Sequence, residues 1–188
     1  MKAGYIQLLS SAGLSGAALL IPNMLRDELG ANTMEIGLIT ASFNLALFLS
    51  SYIFGRASDV HGRKLYLQGG LALTSIALFL LVFADSKETI AVVRVMIGLC
   101  AGIYPSALLT YVYETEGKIG KFTAYGSLGF GIGTFIAGML IIYYEIFLAS
   151  GLMLLLAYII SSRMIFAGEK VHQVPLFRAA MIRHNYPV

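Results

Sequence analysis

The chain has 188 residues, 58% hydrophobic and only 12% charged, with a mean hydropathy of +0.80, which excludes a soluble domain of this size. Its net charge of +3 does not mark a nucleic-acid surface, because the basic residues sit in short segments between apolar runs, where they set topology. A single cysteine, Cys100, lies inside one of those runs, so a disulfide framework, a cysteine-based zinc cluster and a redox pair are excluded too.

Six apolar stretches tile the sequence between charged residues: 3–25, 36–55, 65–84, 95–113, 122–144 and 146–162. A helix needs about 20 apolar residues to cross the hydrocarbon core, at roughly 1.5 Å per residue. In lipid the backbone must satisfy its own hydrogen bonds, so runs of this length predict helices and not strands. The first run is too long for a signal-peptide core and lacks a small-residue cleavage site, so it is expected to be retained. Gln7, Ser10, Ser11 and Ser15 punctuate it, and Pro22 near its end either terminates or hinges the helix. In the segment 26–33 that follows, Asn32 and Glu35 have capping-box spacing and predict the start of the second helix.

Asn44 stands in the middle of the second run, and the third offers only Tyr66, Gln68, Thr74 and Ser75 as polar side chains. The fourth span is expected to begin near Thr89 and to carry Arg94, with Tyr104, Ser106 and Thr110 further along. An arginine at the bilayer centre costs roughly 2.5–3.5 kcal/mol, so Arg94 should either face protein and water or snorkel to the outer interface; its depth favours a cavity. The fifth run is glycine-rich, with Gly126, Gly129, Gly131, Gly133 and Gly138 allowing close approach of a neighbouring helix. Gly37 and Ala41 give the second span a similar small-residue face at four-residue spacing, suited to close helix contact. After the sixth run, 169–188 is polar and basic. Its pattern around Val174, Leu176, Phe177, Met181 and Ile182 suits either a bilayer-surface segment or a connector.

The basic residues divide unevenly. Lys2, Arg56, Arg63, Lys64, Lys118, Lys121, Arg163, Lys170, Arg178 and Arg183 fall on one side of six alternating spans, while Arg26 and Lys87 fall on the other. The positive-inside rule therefore places both termini in the cytoplasm. No acid lies deep in a span, so a proton-coupled mechanism would draw its titrating group from outside this sequence or from boundary acids such as Asp59 and Glu114. There is no nucleotide-binding loop, metal-ligand cluster or nucleophile–base pair, and neither catalysis, a metal nor a cofactor is expected.

Three strings carry more specific information. Between spans two and three stands Gly55-Arg-Ala-Ser-Asp59-Val-His-Gly62-Arg63-Lys64. Gly62 suits a tight turn, Asp59 can pair with a nearby base, and Arg63 and Lys64 keep the segment on the basic side. Span four carries Arg94, Gly98 and Gly102 at four-residue spacing on one face, flat enough for close packing. Span five has Gly120, Gly129, Gly133 and Gly138.

The first string resembles the Gly-x-x-x-Asp-x-x-Gly-Arg-Lys signature of the major facilitator superfamily, and the second resembles that family's span-four signature. The third resembles its antiporter signature with Thr134 in place of a proline and Ala137 in place of a glycine, which puts antiport in doubt. Ala57 and Val60 also depart from the commonest residues of the first string, so its latch is expected to be weaker than usual. The resemblance implies an all-α membrane protein: six transmembrane helices in two inverted three-helix repeats, one half of a twelve-helix transporter. The six-helix domain would cover 1–168 and a cytoplasmic connector or tail 169–188.

By that resemblance spans one and four line a central cavity, spans two and five form the contact with the other half, and spans three and six face lipid. Gln7, Ser11, Asn44, Arg94 and Tyr104 are the cavity candidates. Gly55, Asp59, Gly62, Arg63 and Lys64 form the gating segment, and Gly98, Gly102, Gly129, Gly133 and Gly138 serve helix packing. The implied function is secondary transport of a small solute by alternating access in the plasma membrane. The implied partners are that solute, a coupling ion, lipid, and a second six-helix half as a copy of this chain or a separate one. The alternative is a non-transporting membrane subunit, assembly partner or truncated remnant.

Overall fold

The computed structural model describes residues 2–115, 117–140 and 142–164, and the side chains of Val60 and His61 are not described. The expected boundary at 168 and the connector 169–188 lie outside the described residues. Every regular element among the described residues is helical: α1 Lys2–Asp27, α2 Thr33–His61, α3 Arg63–Leu80, α4 Lys87–Ala101, α5 Tyr104–Thr115, α6 Ile119–Met139 and α7 Tyr143–Ser162. A 3₁₀ turn, Leu81–Phe83, extends α3.

Five segments are long and apolar enough to cross a membrane: Lys2–Asp27, Thr33–Asp59, Arg63–Phe83, Lys87–Thr115 and Tyr143–Ser162. The fourth of these combines α4 and α5. The glycine-rich α6, with 21 residues, is as long as the third of them and supplies the sixth pass. The result is the six-helix arrangement expected from the sequence.

Local chemistry sets the helix ends. Asn32 Oδ1 accepts from the Glu35 amide at 2.9 Å, while Glu35 Oε2 accepts from the Asn32 amide at 2.8 Å. Two donors at the start of α2 are thereby satisfied reciprocally, as the capping-box spacing predicted. Pro22 does not end α1, which continues to Asp27. The segment between spans two and three is far shorter than the sequence suggests. Helix α2 runs through Gly55 and Asp59 to His61, and the whole turn is Gly62, at φ 98° and ψ 135°. A side chain at that φ would clash with the backbone, so glycine is required there.

The fourth span departs from a continuous helix. It breaks between α4 and α5 at Gly102 and Ile103, because Pro105 has no amide to donate back to Ala101. The Ile103 amide turns instead to the Cys100 carbonyl at 3.2 Å. In an unbroken helix it would have bonded to the Leu99 carbonyl. That carbonyl receives the Ser50 hydroxyl of α2 in its place. A broken span survives at membrane depth when a neighbouring side chain re-satisfies the freed group.

Packing follows a two-fold pattern. Helix α1 packs on α6 and α7, α2 packs on α4 and α5, and α3 lies against α4, α5 and α7. Exchanging span one with four, two with five and three with six returns the same set of contacts. Two three-helix repeats in one bundle generate that pattern. The shared core holds Leu67, Leu71 and Leu78 of α3 against Ile97, Leu108, Phe147 and Leu154. Leu38, Leu45, Phe48 and Tyr52 on α2, and Phe130, Phe135 and Met139 on α6, stay exposed. Lipid is as apolar as these side chains, so association between helices comes from close packing and not from water release.

Candidate functional site

Helix α1 and the pair α5 and α6 line an open cleft of about 600 Å³. Gln7 and Ser11 of α1 line it, one helical turn apart, with the Gln7 amide donating to the Ser11 hydroxyl at 3.4 Å. Opposite them α6 presents Phe122, Thr123, Gly126, Ser127 and Phe130, and Pro105 and Leu109 of α5 close a third side. Gly126 is what lets Gln7 lie flat, since a Cβ there would come within 2.9 Å of the Gln7 Nε2. Thr123 donates to the Ile119 carbonyl at 3.1 Å, which leaves its oxygen able to accept.

Only two of the five cavity candidates meet in this cleft. Tyr104 is 3% exposed and belongs to the core: it packs against the bare backbone of Gly70 on α3, and its hydroxyl interacts with Ser10. Asn44 is exposed on α2, where its Nδ2 donates to the Thr40 carbonyl at 2.9 Å. Arg94 is 3% exposed and is absent from the cleft wall. Its guanidinium lies over the Phe43 ring at 4.4 Å, and its Nε has no hydrogen-bond partner among the described residues. The cleft residues that sequence reasoning missed are Thr123, Ser127, Phe122 and Phe130 on α6 and Pro105 and Leu109 on α5. For Thr123 and Ser127 the signal was a pair of hydroxyls at four-residue spacing in a glycine-rich span.

The glycines divide by role. A Cβ at Gly98 would stand 2.5 Å from the Phe43 carbonyl oxygen, and one at Gly102 would stand 2.6 Å from that of Leu47. Gly129 and Gly133 press in the same way on the Leu8 and Ala12 carbonyls of α1, where Ser15 also donates to the Phe130 carbonyl at 3.1 Å. The glycines at 129 and 133 are thus spent inside the bundle, which corrects the expectation that they face another half. Gly138 and Gly37 meet nothing within 4 Å.

At the end of the bundle that carries Lys2, the residues expected to form a gating segment fall close together. Arg63 pairs with Glu114 of α5, and its Nε lies 4.0 Å from Asp59 Oδ1, one turn back across Gly62. Gly55 leaves room for α5, its missing Cβ lying 3.3 Å from Ser106 Oγ. Lys64 is exposed beside them. The carboxylates of Asp59 and Glu114 are 56% and 52% exposed, and pairs exposed to that degree contribute about 0–1 kcal/mol. They are weak enough to make and break. At the opposite end, Lys87 at the start of α4 reaches Glu35 Oε2 at 3.1 Å and the Gly30 carbonyl at 3.3 Å.

The Major Facilitator Superfamily model matches residues 4–183. An uncharacterized MFS-type transporter of Methanocaldococcus jannaschii is 32% identical over 144 residues, covering 72% of this chain and 37% of that protein. A probable chloroplastic anion transporter of Arabidopsis thaliana is 34% identical over 88 residues, 46% of this chain and 17% of the relative. A major facilitator superfamily multidrug transporter of Aspergillus fumigatus is 42% identical over 66 residues, 35% of this chain and 11% of the relative. The chain therefore spans well under half the length of these relatives.

Proposed function

The chain belongs to the major facilitator superfamily, and from that premise we propose that it is one half of a secondary transporter that moves a small solute by alternating access. The observation that carries this reading is the cleft between α1, α5 and α6. It is a concave, mixed polar and apolar site that opens beside helices whose large side chains remain exposed. A second six-helix half, in a longer polypeptide, a copy of this chain or a separate chain, would close the cleft and supply its other wall. Because the match covers 37% of the first relative, that second half is part of the proposal.

In this reading both termini face the cytoplasm of a cell whose plasma membrane holds the protein, following the bias of basic residues. Gln7 and Ser11 contact the solute. Arg63, Glu114 and Asp59 form a cytoplasmic latch, with Gly55 and Gly62 setting its geometry and Lys64 holding it at the interface. Arg94 braces α4 against Phe43 of α2, and the cation–π contact offsets much of the cost of a buried charge. A gradient of the solute, or of a coupling ion, drives the cycle.

Uptake into proteoliposomes containing the chain together with its second half tests the proposal. Solute accumulation under an imposed gradient, lost when the cleft is blocked by a modified cysteine at position 11, is the expected result. The absence of solute flux under every imposed gradient would overturn it.

A further inference from the structure

We propose that the cleft takes an uncharged, two-faced solute, with hydroxyl, carbonyl or amide groups along one side and a hydrocarbon or aromatic face along the other; this rests on the transporter reading above. The nine residues that line the cleft include no acid and no base. Once the second half closes the cleft, a carboxylate or ammonium inside it would lose water and meet no opposite charge on this wall. Dipoles alone compensate poorly for that loss. A neutral group exchanges water for comparable partners, and several are present.

These partners are placed together. Gln7 offers an amide, with both a donor group and an acceptor oxygen, and Ser11, Thr123 and Ser127 offer hydroxyls. Gln7 and Ser11 are already joined by their mutual hydrogen bond, and Gly126 leaves the room in which the Gln7 side chain lies. The apolar surface comes from Phe122, Phe130 and Leu109. Phe122 and Phe130 are two turns apart on α6, so at about 1.5 Å per residue their rings are spread over roughly 12 Å of the cleft's length. A cleft of about 600 Å³ suits a molecule of one or two rings. The nearest basic residues in sequence, Lys118 and Lys121, are exposed at the start of α6 and do not line the cleft. Solvent screens charges at such positions within about 8–10 Å.

The test needs no knowledge of the natural solute. In a Cys100→Ser background, Ser127→Cys places a single thiol on the cleft wall of the assembled transporter in membrane vesicles, and Thr123→Cys provides a second position should the first variant misfold. Each thiol is exposed to three methanethiosulfonates of similar size: 2-hydroxyethyl (neutral), 2-sulfonatoethyl (anionic) and 2-(trimethylammonium)ethyl (cationic). Each rate is divided by the rate of the same reagent with a free thiol.

The neutral reagent is expected to lead both charged ones by about tenfold, equivalent to a 1.4 kcal/mol difference in barrier. Adding Ser11→Asp should raise the rate of the cationic reagent selectively. An anionic or cationic reagent that reacts as fast as the neutral one would overturn the proposal. Solute uptake is read separately. A preference for the neutral reagent without uptake would sustain the cleft chemistry and remove the transporter reading. Uptake combined with a preference for a charged reagent would do the opposite.

Discussion

The Ser50 hydroxyl of α2 donates to the Leu99 carbonyl of α4, the group left without an amide where the fourth span breaks before Pro105. A proline fault in one helix is thus repaired by a side chain from another, and the break locks α2 and α4 in register. Ser50 is 1% exposed, so no water replaces it. Ser50→Ala is expected to destabilise the bundle by about 1–3 kcal/mol, the cost of a buried unsatisfied carbonyl. In a Pro105→Ala background the amide at 105 is restored, the helix can close, and the cost of Ser50→Ala should fall by more than half. Denaturant unfolding of the four proteins in detergent measures the cycle, and an additive result would break the link between the two residues.

The glycines of α6 make a sharper distinction than their spacing suggests. Gly133→Leu should prevent α6 from seating on α1, because a Cβ at 133 already collides with the Ala12 carbonyl and Ser15 Oγ. Overpacking of this kind costs about 1–3 kcal/mol or more, and the backbone carbonyl cannot swing aside. Gly131→Leu, two residues away with nothing within 4 Å, should leave stability within about 0.5 kcal/mol. Fluorescence-detected gel filtration after heating ranks the two. Equal tolerance at both sites would show that α6 does not rest on α1 in this way.

These glycines also show where the sequence is legible. The charges that bound each apolar run, the Asn32–Glu35 cap and the placing of a tight turn at Gly62 are local, so composition and spacing announce them. They do not announce that α2 runs on to His61 and leaves Gly62 as the whole turn. The break in span four was not read from the sequence, in which Gly102 counts as a packing residue and Pro105 goes unremarked. Tertiary partners are a different matter. Nothing in the sequence says whether the small face of α6 looks inward or outward. Nor does it say that the polar tip of Tyr104 finds Ser10 in the core, or that Lys87 meets Glu35 across 52 positions. Such pairings are set by how α1, α2 and α4 cross. Hence three of the five cavity candidates, Asn44, Arg94 and Tyr104, lie outside the cleft.

The pairs at the basic end should govern conformational balance more than stability. Glu114→Gln removes the closer partner of Arg63, and Asp59→Asn the more distant one at 4.0 Å. Each is expected to cost less than about 1 kcal/mol of stability, given the exposure of both carboxylates. If this cluster is broken in one state of the cycle, Glu114→Gln should shift the accessibility of a cleft cysteine toward the basic side by up to about fivefold. Asp59→Asn should do so by less. Raising salt from 0.15 to 1 M shortens the Debye length from about 8 to 3 Å and should reproduce part of the shift in the unmodified protein. Identical labelling rates in all three conditions would deny the cluster a gating role.

Arg94 poses the last question, because a buried guanidinium can serve a solute or serve a helix. It is 3% exposed, stands 4.4 Å from the Phe43 centroid and is absent from the cleft wall. A desolvated cation–π contact is worth about 2 kcal/mol, close to the roughly 2.5–3.5 kcal/mol that inserting the charge costs. A flexible apolar chain of similar length should therefore replace it at little loss. Arg94→Met is expected to unfold at the same denaturant concentration as the parent or slightly higher, and to retain uptake. The contact itself is isolated by a cycle with Phe43→Leu, which should cost about 1–2 kcal/mol more with arginine at 94 than with methionine. Loss of uptake in a stably folded Arg94→Met protein would move Arg94 from the helix contact to the transport cycle.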